Sequence, residues 1–232
     1  MSCKTPVTIS LKKPKFDFEG KMVTSLEVPC GKCYECRRRR VKDWTTRLLI
    51  ESQEHLFNYF LTLTYNDESV PVNNEGLQTL SKRDVQLFLK RLRKKYKFRY
   101  FLIGEYGGIT LRPHYHAIMF SDIDIKYDDI EKCWSQGFVK FGTVTYGSCA
   151  YVAKYHTIGL DNGLEVIKPF CLMSRKPGIA EGYIEKKNNG TVMTLEGITP
   201  ILMEFDDFCL DILQENYIVI GKGKNLELYQ ND

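Results

Sequence analysis

Apolar and polar residues alternate along Phe60-Leu61-Thr62-Leu63-Thr64-Tyr65, which predicts a strand ended by Asn66 and Asp67. The period changes after Ser81-Lys82-Arg83-Asp84, a segment with the form of a capping box. Val85, Phe88, Leu89, Leu92 and Tyr96 then recur at helical spacing beneath a strongly basic outer face. Upstream, no Pro or Gly interrupts the chain from Tyr34 to about Phe57, and Trp44, Leu48 and the stretch from Glu51 to His55 fit one long helix. Residues 1–29, rich in Lys, Pro and Thr, read as irregular or short-strand sequence. Phe98 to Glu105 and Pro113 to Phe120 read as the two strands of a hairpin whose loop holds Gly107-Gly108. A short helix over Ile125 to Ser135 and a strand over Phe138 to Tyr146 follow. Gly147-Ser148 then opens a helix running to about Thr157. Beyond Pro169 the pattern weakens: "MSRKPGIAEGYIEKKNNG" is loop-like and basic, and Asp206 to Asn216 suggests a helix. This order predicts an α+β fold, a central antiparallel sheet with flanking helices.

A chain of 232 residues holds one well-cored domain, or a domain with a small appendage. The expected organisation is a cysteine-containing segment and long basic helix over 1–57, a core over 58–165, and a C-terminal extension over 166–232 packing on that core. No apolar run is long enough to span a membrane, and "MSCKTPVTISLKKPK" lacks an apolar signal core, so the expectation is a cytoplasmic protein without a membrane partner. Net charge is only +4, but its distribution is uneven. Lys32 to Arg47 carries seven Lys/Arg against two acids, including Arg37, Arg38, Arg39 and Arg40 in a row. Lys82 to Arg99 carries nine against one, whereas Ile201 to Asp232 has seven acids and two lysines. Two such blocks suggest a polyanion partner, with solvated helix faces as the plain alternative.

Residues two apart on a strand share a face, so His114 and His116 lie together and Tyr115 points away. They are either packed residues of an ordinary strand or ligands of a metal. Glu105 ends the preceding strand, and the hairpin would bring it beside them, giving two imidazoles and a carboxylate for one divalent cation. That donor set also suits a mononuclear iron oxygenase, although the basic blocks favour phosphate chemistry. In Tyr151-Val152-Ala153-Lys154-Tyr155 the two phenols are one helical turn apart, with Lys154 near both. A phenol has an ordinary pKa of about 10 and is a weak nucleophile at neutral pH. A metal that polarises a phosphodiester, with a lysine favouring phenolate, would give it a reaction to perform. The cysteines divide into Cys30, Cys33 and Cys36, clustered in "CGKCYEC", and Cys133, Cys149, Cys171 and Cys209, scattered like small buried hydrophobes. With Cys3 as fourth ligand, the cluster would hold a structural Zn²⁺, and otherwise it is a set of reduced thiols at a helix start.

Several of these segments together resemble a known family. "RPHYHAIMF" is similar to the histidine–hydrophobe–histidine motif of HUH endonucleases, which nick single-stranded DNA. "YFLTLTY" resembles their first strand motif, and "FLIGEYGG" resembles the glutamate-bearing strand of small viral replication initiators. "YVAKY" is similar to the paired-tyrosine motif of microvirus initiators. "CGKCYECRRRR" and "MSRKPGI" look like the gokushovirus-type branch. The resemblance spans roughly residues 28 to 187 in scattered motifs and implies a ferredoxin- or RRM-like HUH nickase core. It implies Mg²⁺ or Mn²⁺ held by His114, His116 and Glu105, with Tyr151 as nucleophile, Tyr155 as its alternating partner and Lys154 as charge aid. It also implies cleavage of single-stranded origin DNA to a 5′-phosphotyrosine and a 3′-OH that primes rolling-circle synthesis, later rejoined, in a host cytoplasm. Arg37, Arg38, Arg39, Arg40, Arg112, Arg175 and Lys176 are the expected nucleic-acid contacts. No Gly-Lys-Ser/Thr phosphate loop occurs, so helicase and polymerase would come from the host. Tyr115 stands where many relatives have an aliphatic residue. The rival reading is a non-catalytic, zinc-stabilised nucleic-acid-binding regulator whose histidines are merely packed.

Overall fold

The computed structural model describes residues 3–17, 19–157 and 166–181, with strand segments at 217–220 and 227–230. In chain order the elements are β1 (Val7–Phe16), β2 (Met22–Val28), α1 (Tyr34–Gln53), β3 (Phe57–Tyr65), α2 (Lys82–Leu92), β4 (Arg99–Tyr106) and β5 (Pro113–Ser121). They continue with α3 (Tyr127–Cys133), β6 (Gly137–Thr143), α4 (Tyr146–Thr157), β7 (Phe170–Met173), β8 (Tyr217–Ile220) and β9 (Glu227–Gln230). Five strands form the central sheet in the order β6-β3-β5-β4-β7, every neighbouring pair antiparallel. The fold is α+β, as the element order implies.

Strand alternation sends side chains to two faces, and each face has its own core. On one, Leu61 and Leu63 of β3 and Tyr115 and Met119 of β5 pack under Phe88 and Leu92 of α2 and Ile130 of α3. On the other, Phe101, Ile103, Ile118 and Phe120 pack under Leu48 of α1 and Cys149 and Val152 of α4. Each such large apolar side chain contributes roughly 1.5–3 kcal/mol on burial. Because α1 and α2 cover opposite faces, the two basic blocks do not converge on one surface. Tyr115 faces the α2 core, where its hydroxyl meets Tyr65 Oη at 2.8 Å and accepts from the Ser81 amide at 2.7 Å. A phenol suits this position because its ring fills the core while its hydroxyl is satisfied.

The structure departs from the sequence reading at several element ends. Residues 1–29 contain a regular antiparallel hairpin, β1 with β2, rather than irregular chain. Helix α1 ends at Gln53, since Asn58 Nδ2 donates to the Ser52 and His55 carbonyls and turns the chain into β3 by Phe57. Strand β6 stops at Thr143 because Thr145 and Ser148 exchange hydrogen bonds of 2.8 and 3.2 Å that cap α4. Strand β7, absent from the sequence reading, pairs with β4 and lays Phe170 over Gly104, where a Cβ would meet its ring at 3.1 Å. Cys133, Cys149 and Cys171 pack against the two cores. The helix expected over Asp206 to Asn216 and Cys209 lie outside the described residues. Among the described residues no helix is long and apolar enough to cross a membrane.

Candidate functional site

The register of β4 with β5 sets Glu105 opposite His114 and Ile103 opposite His116. Glu105, His114 and His116 therefore share the face covered by α1 and α4. Glu105 Oε1 lies 3.1 Å from His114 Nε2 and 3.2 Å from His116 Nε2. One ligand atom from each of the three falls within 4.8 Å of the others. The far nitrogens are fixed from behind: His114 Nδ1 donates to the Arg112 carbonyl at 3.1 Å, and His116 Nδ1 meets Thr62 Oγ1 at 3.0 Å. Such partners set the tautomer that leaves Nε2 as a ligand. Phe60 stacks on His116 with ring centroids 5.5 Å apart, which fixes the imidazole plane.

The charge balance of this trio is unusual. Glu105 is buried, which raises a carboxyl's pKa, yet the hydrogen bonds from His114 and His116 outweigh burial and hold it at about 2. His116 is pushed below the ordinary imidazole value by burial, whereas for His114 burial is outweighed by Glu105 and the pKa rises. Glu105 Oε2 is buried without a hydrogen-bond partner. Buried polar atoms are normally paired. An orphaned carboxylate oxygen beside two oriented imidazoles is a donor set that a divalent cation fits.

Helix α4 packs on α1 and brings its phenols to the trio. Tyr151 Oη donates to Glu105 Oε1 at 2.6 Å and lies 3.3 Å from His116 Nε2. Tyr155, with its ring centroid 4.9 Å from that of Tyr151, lines a cleft of about 270 Å³ together with Thr62, Thr64, Arg112 and the two histidines. Lys154 is buried, with Nζ 5.6 Å over the Tyr155 ring rather than beside Tyr151 Oη. Burial and then the Glu105 charge push both phenols up, Tyr155 to about 12 and Tyr151 further. Positive charge at the trio would reverse the electrostatic part of that effect.

A second cluster sits at the start of α1. Cys3 and Cys33 sulfurs are 3.8 Å apart and those of Cys30 and Cys36 are 4.0 Å apart, with all four within 4.8 Å of one another. Two thiolates about 2.3 Å from one tetrahedral zinc would lie about 3.8 Å apart. Backbone amides of Lys32 and Cys33 point at Cys30 Sγ from 3.4 and 3.3 Å. These contacts and the Thr5 hydroxyl lower the Cys30 thiol to about 5, the Thr5 bond being the largest cause, while burial raises Cys36 to about 12. Gly31 makes the tight turn with φ +72°, a conformation that a side chain would strain.

The expected nucleic-acid contacts separate in space. Arg37, Arg39 and Arg40 are exposed on α1, while Arg38 is buried. Arg175 and Lys176 are exposed in the turn after β7. Arg112 donates to the Tyr65 carbonyl at 2.9 Å and pairs with Asp67 at 2.8 Å, so it braces the hairpin loop against β3. Thr62 and Phe60 are site residues that the sequence reading missed. Their signal was the alternation of β3, which puts Phe60, Thr62 and Thr64 on one face without saying which strand lies beside them.

Residues 58–159 match the family model of replication-associated protein ORF2. The chain is 32% identical over 203 residues to replication-associated protein VP4 of Bdellovibrio phage phiMH2K, covering 74% of this chain and 62% of that protein. It is 30% identical over 193 residues to replication-associated protein ORF2 of Spiroplasma virus 4, covering 72% and 59%. With replication-associated protein ORF4 of Chlamydia phage 1 the identity is 28% over 156 residues, covering 56% and 38%. The chain thus spans less than two thirds of the length of these relatives. Among solved structures, hypothetical protein ORF119 of Sulfolobus islandicus rod-shaped virus 1 is similar at a TM-score of 0.35 and 18% identity, covering 49% of this chain and 90% of that one.

Proposed function

We propose, from likenesses that support a replication-associated protein of the microvirus type, that this chain initiates phage DNA replication by nicking single-stranded origin DNA. Tyr151 attacks a phosphodiester. Its Oη–P bond forms as the P–O3′ bond breaks, and the 3′ oxygen leaves with the bonding pair and takes up a proton. The products are a 5′-phosphotyrosine and a free 3′-OH for rolling-circle synthesis. Tyr155, one turn along α4, makes the second cut that lets the same protein rejoin the ends.

The observation that carries this reading is the 2.6 Å hydrogen bond from Tyr151 to Glu105, within a trio whose imidazoles are already oriented. Mg²⁺ or Mn²⁺ bound by Glu105, His114 and His116 would supply Lewis-acid polarisation of the phosphodiester. The chain's own part is positioning: Thr62 and the Arg112 carbonyl hold the imidazoles, and Glu105 fixes where the phenol oxygen sits. Lys154 adds positive charge on the Tyr155 side. Arg37, Arg39, Arg40, Arg175 and Lys176 offer phosphate contacts beyond the cleft. Unwinding and synthesis fall to a helicase and a polymerase of the host, in whose cytoplasm the protein works.

The four cysteines hold a structural Zn²⁺ that ties the β1–β2 hairpin to α1, a role supported by their spacing and their amide contacts. Elemental analysis of the purified chain is expected to give one zinc per molecule. No zinc, with all thiols freely titratable, would contradict it.

The nicking reading is tested with end-labelled oligonucleotides tiled over a microvirus genome. One tile is expected to be cut in Mn²⁺, to leave label on the protein after denaturation, and to stay intact in EDTA. Tyr151→Phe is expected to abolish the first cut. Unchanged cutting after loss of both Tyr151 and Tyr155 would rule the mechanism out.

A further inference from the structure

Two rows of side chains cross the site face of the sheet at right angles to its strands. The registers align Glu105, His114, Thr64 and Phe138 in one row, from β4 through β5 and β3 to β6. They align Ile103, His116, Thr62 and Lys140 in the next. Neighbouring strands lie about 4.8 Å apart, so Phe138 is roughly 10 Å from His114 along its row. Thr62 and Thr64, between the histidines and β6, line the same cleft as the trio, so the surface is continuous.

At the β6 end this face is open. Phe138 is 70% exposed and Lys140 is exposed, whereas Val139, on the opposite face, is buried in the α2 core. Lys140 makes no hydrogen bond or ion pair to a described residue. Single exposed aromatics are ordinary on protein surfaces. This one ends a row that carries two residues of the candidate metal trio, with a cation beside it in the next row.

We infer that Phe138 and Lys140 seat the nucleotide next to the reactive phosphate, Phe138 stacking on its base and Lys140 pairing with its phosphate. The inference rests on the nicking reading and names where the strand runs: from the trio, over Thr64 and Thr62, to the β6 edge. An aromatic face accepts any base, so the seat supplies affinity and position rather than base selection. The lysine contributes a sequence-independent phosphate contact.

The test is fluorescence anisotropy of the full chain with a twelve-nucleotide thymidine strand and with an abasic strand of equal length. Phe138→Ala is expected to weaken binding of the thymidine strand about tenfold. It is expected to leave the abasic strand unchanged, and Phe138→Trp is expected to restore binding. Lys140→Ala is expected to weaken both strands and to reduce the salt slope by about 0.7. Equal affinity of Phe138→Ala and the unaltered chain for thymidine, an equal loss on both strands, or no binding by the unaltered chain would each overturn the seat. The nicking reading is judged separately, by the tyrosine adduct. An adduct made by a Phe138→Ala chain of unchanged affinity removes the seat and keeps the nickase. A base-dependent loss without any adduct does the reverse.

Discussion

Glu105 touches every other member of the site: His114, His116 and Tyr151 all reach its Oε1, while Oε2 is buried without a partner. Its negative charge alone opposes phenolate formation at Tyr151, so the trio and the tyrosine make chemical sense together only with a cation among them. The ligand pair was legible because residues two apart on a strand must share a face. Glu105 was legible because a short hairpin has few registers. Thr62 was not, since it reaches His116 from a strand more than fifty residues earlier and no local pattern encodes that register. Thr62→Val is expected to lower Mn²⁺ affinity by about 10- to 100-fold with the fold retained, since outer-sphere partners have effects of that size. Calorimetric titration of the metal checks this, and unchanged affinity would mean that the Thr62 bond does not orient His116.

Elements were easiest to read where one face is buried against a helix, as in β3, α2 and β5, because burial on one side leaves a periodic pattern. The β1–β2 hairpin left none: both strands are largely exposed and the register shifts between Ser10 and Lys15. Two-stranded hairpins are marginal in water, so this one depends on the cysteine cluster at its base. A zinc chelator is expected to abolish amide-exchange protection in β1 and β2 while β3 and β5 stay protected. Strand β7 escaped because four half-buried residues carry too short a pattern. Its following turn is held by Glu51 of α1, which binds Arg99 of β4, His55 and the Ala180 amide. Burial raises the Glu51 pKa, but the His55 and Arg99 bonds outweigh it and set it at about 2. The stability it contributes is therefore complete above its ordinary value of 4.5 and is lost as pH falls toward 2. Glu51→Gln is expected to cost about 2–3 kcal/mol at pH 7 in denaturant unfolding, since it removes one partner of a buried ion pair. The gap to the unaltered chain is expected to close between pH 4.5 and 2.

At the scale of the whole molecule, the sequence allowed an α+β sheet with a metal trio and paired phenols but not the sidedness of its charge. Helix α2 carries its exposed Lys90, Arg91 and Lys94 on the sheet face away from the trio. Charge reversal there, as in Lys94→Glu, is expected to leave cutting of a short single strand unchanged, as a gel assay would show. The central claim is that Tyr151 becomes covalently joined to DNA beside the Glu105–His114–His116 trio. Trypsin cuts after Lys154 but not between Lys168 and Pro169, so Tyr151 falls in peptide 141–154 and Tyr155 in peptide 155–175. Mass spectrometry of the digested adduct, formed on the cleaved oligonucleotide in Mn²⁺, is expected to find the nucleotide on peptide 141–154 with fragment ions assigning it to Tyr151. Cleaved DNA with no nucleotide on either peptide would contradict the account.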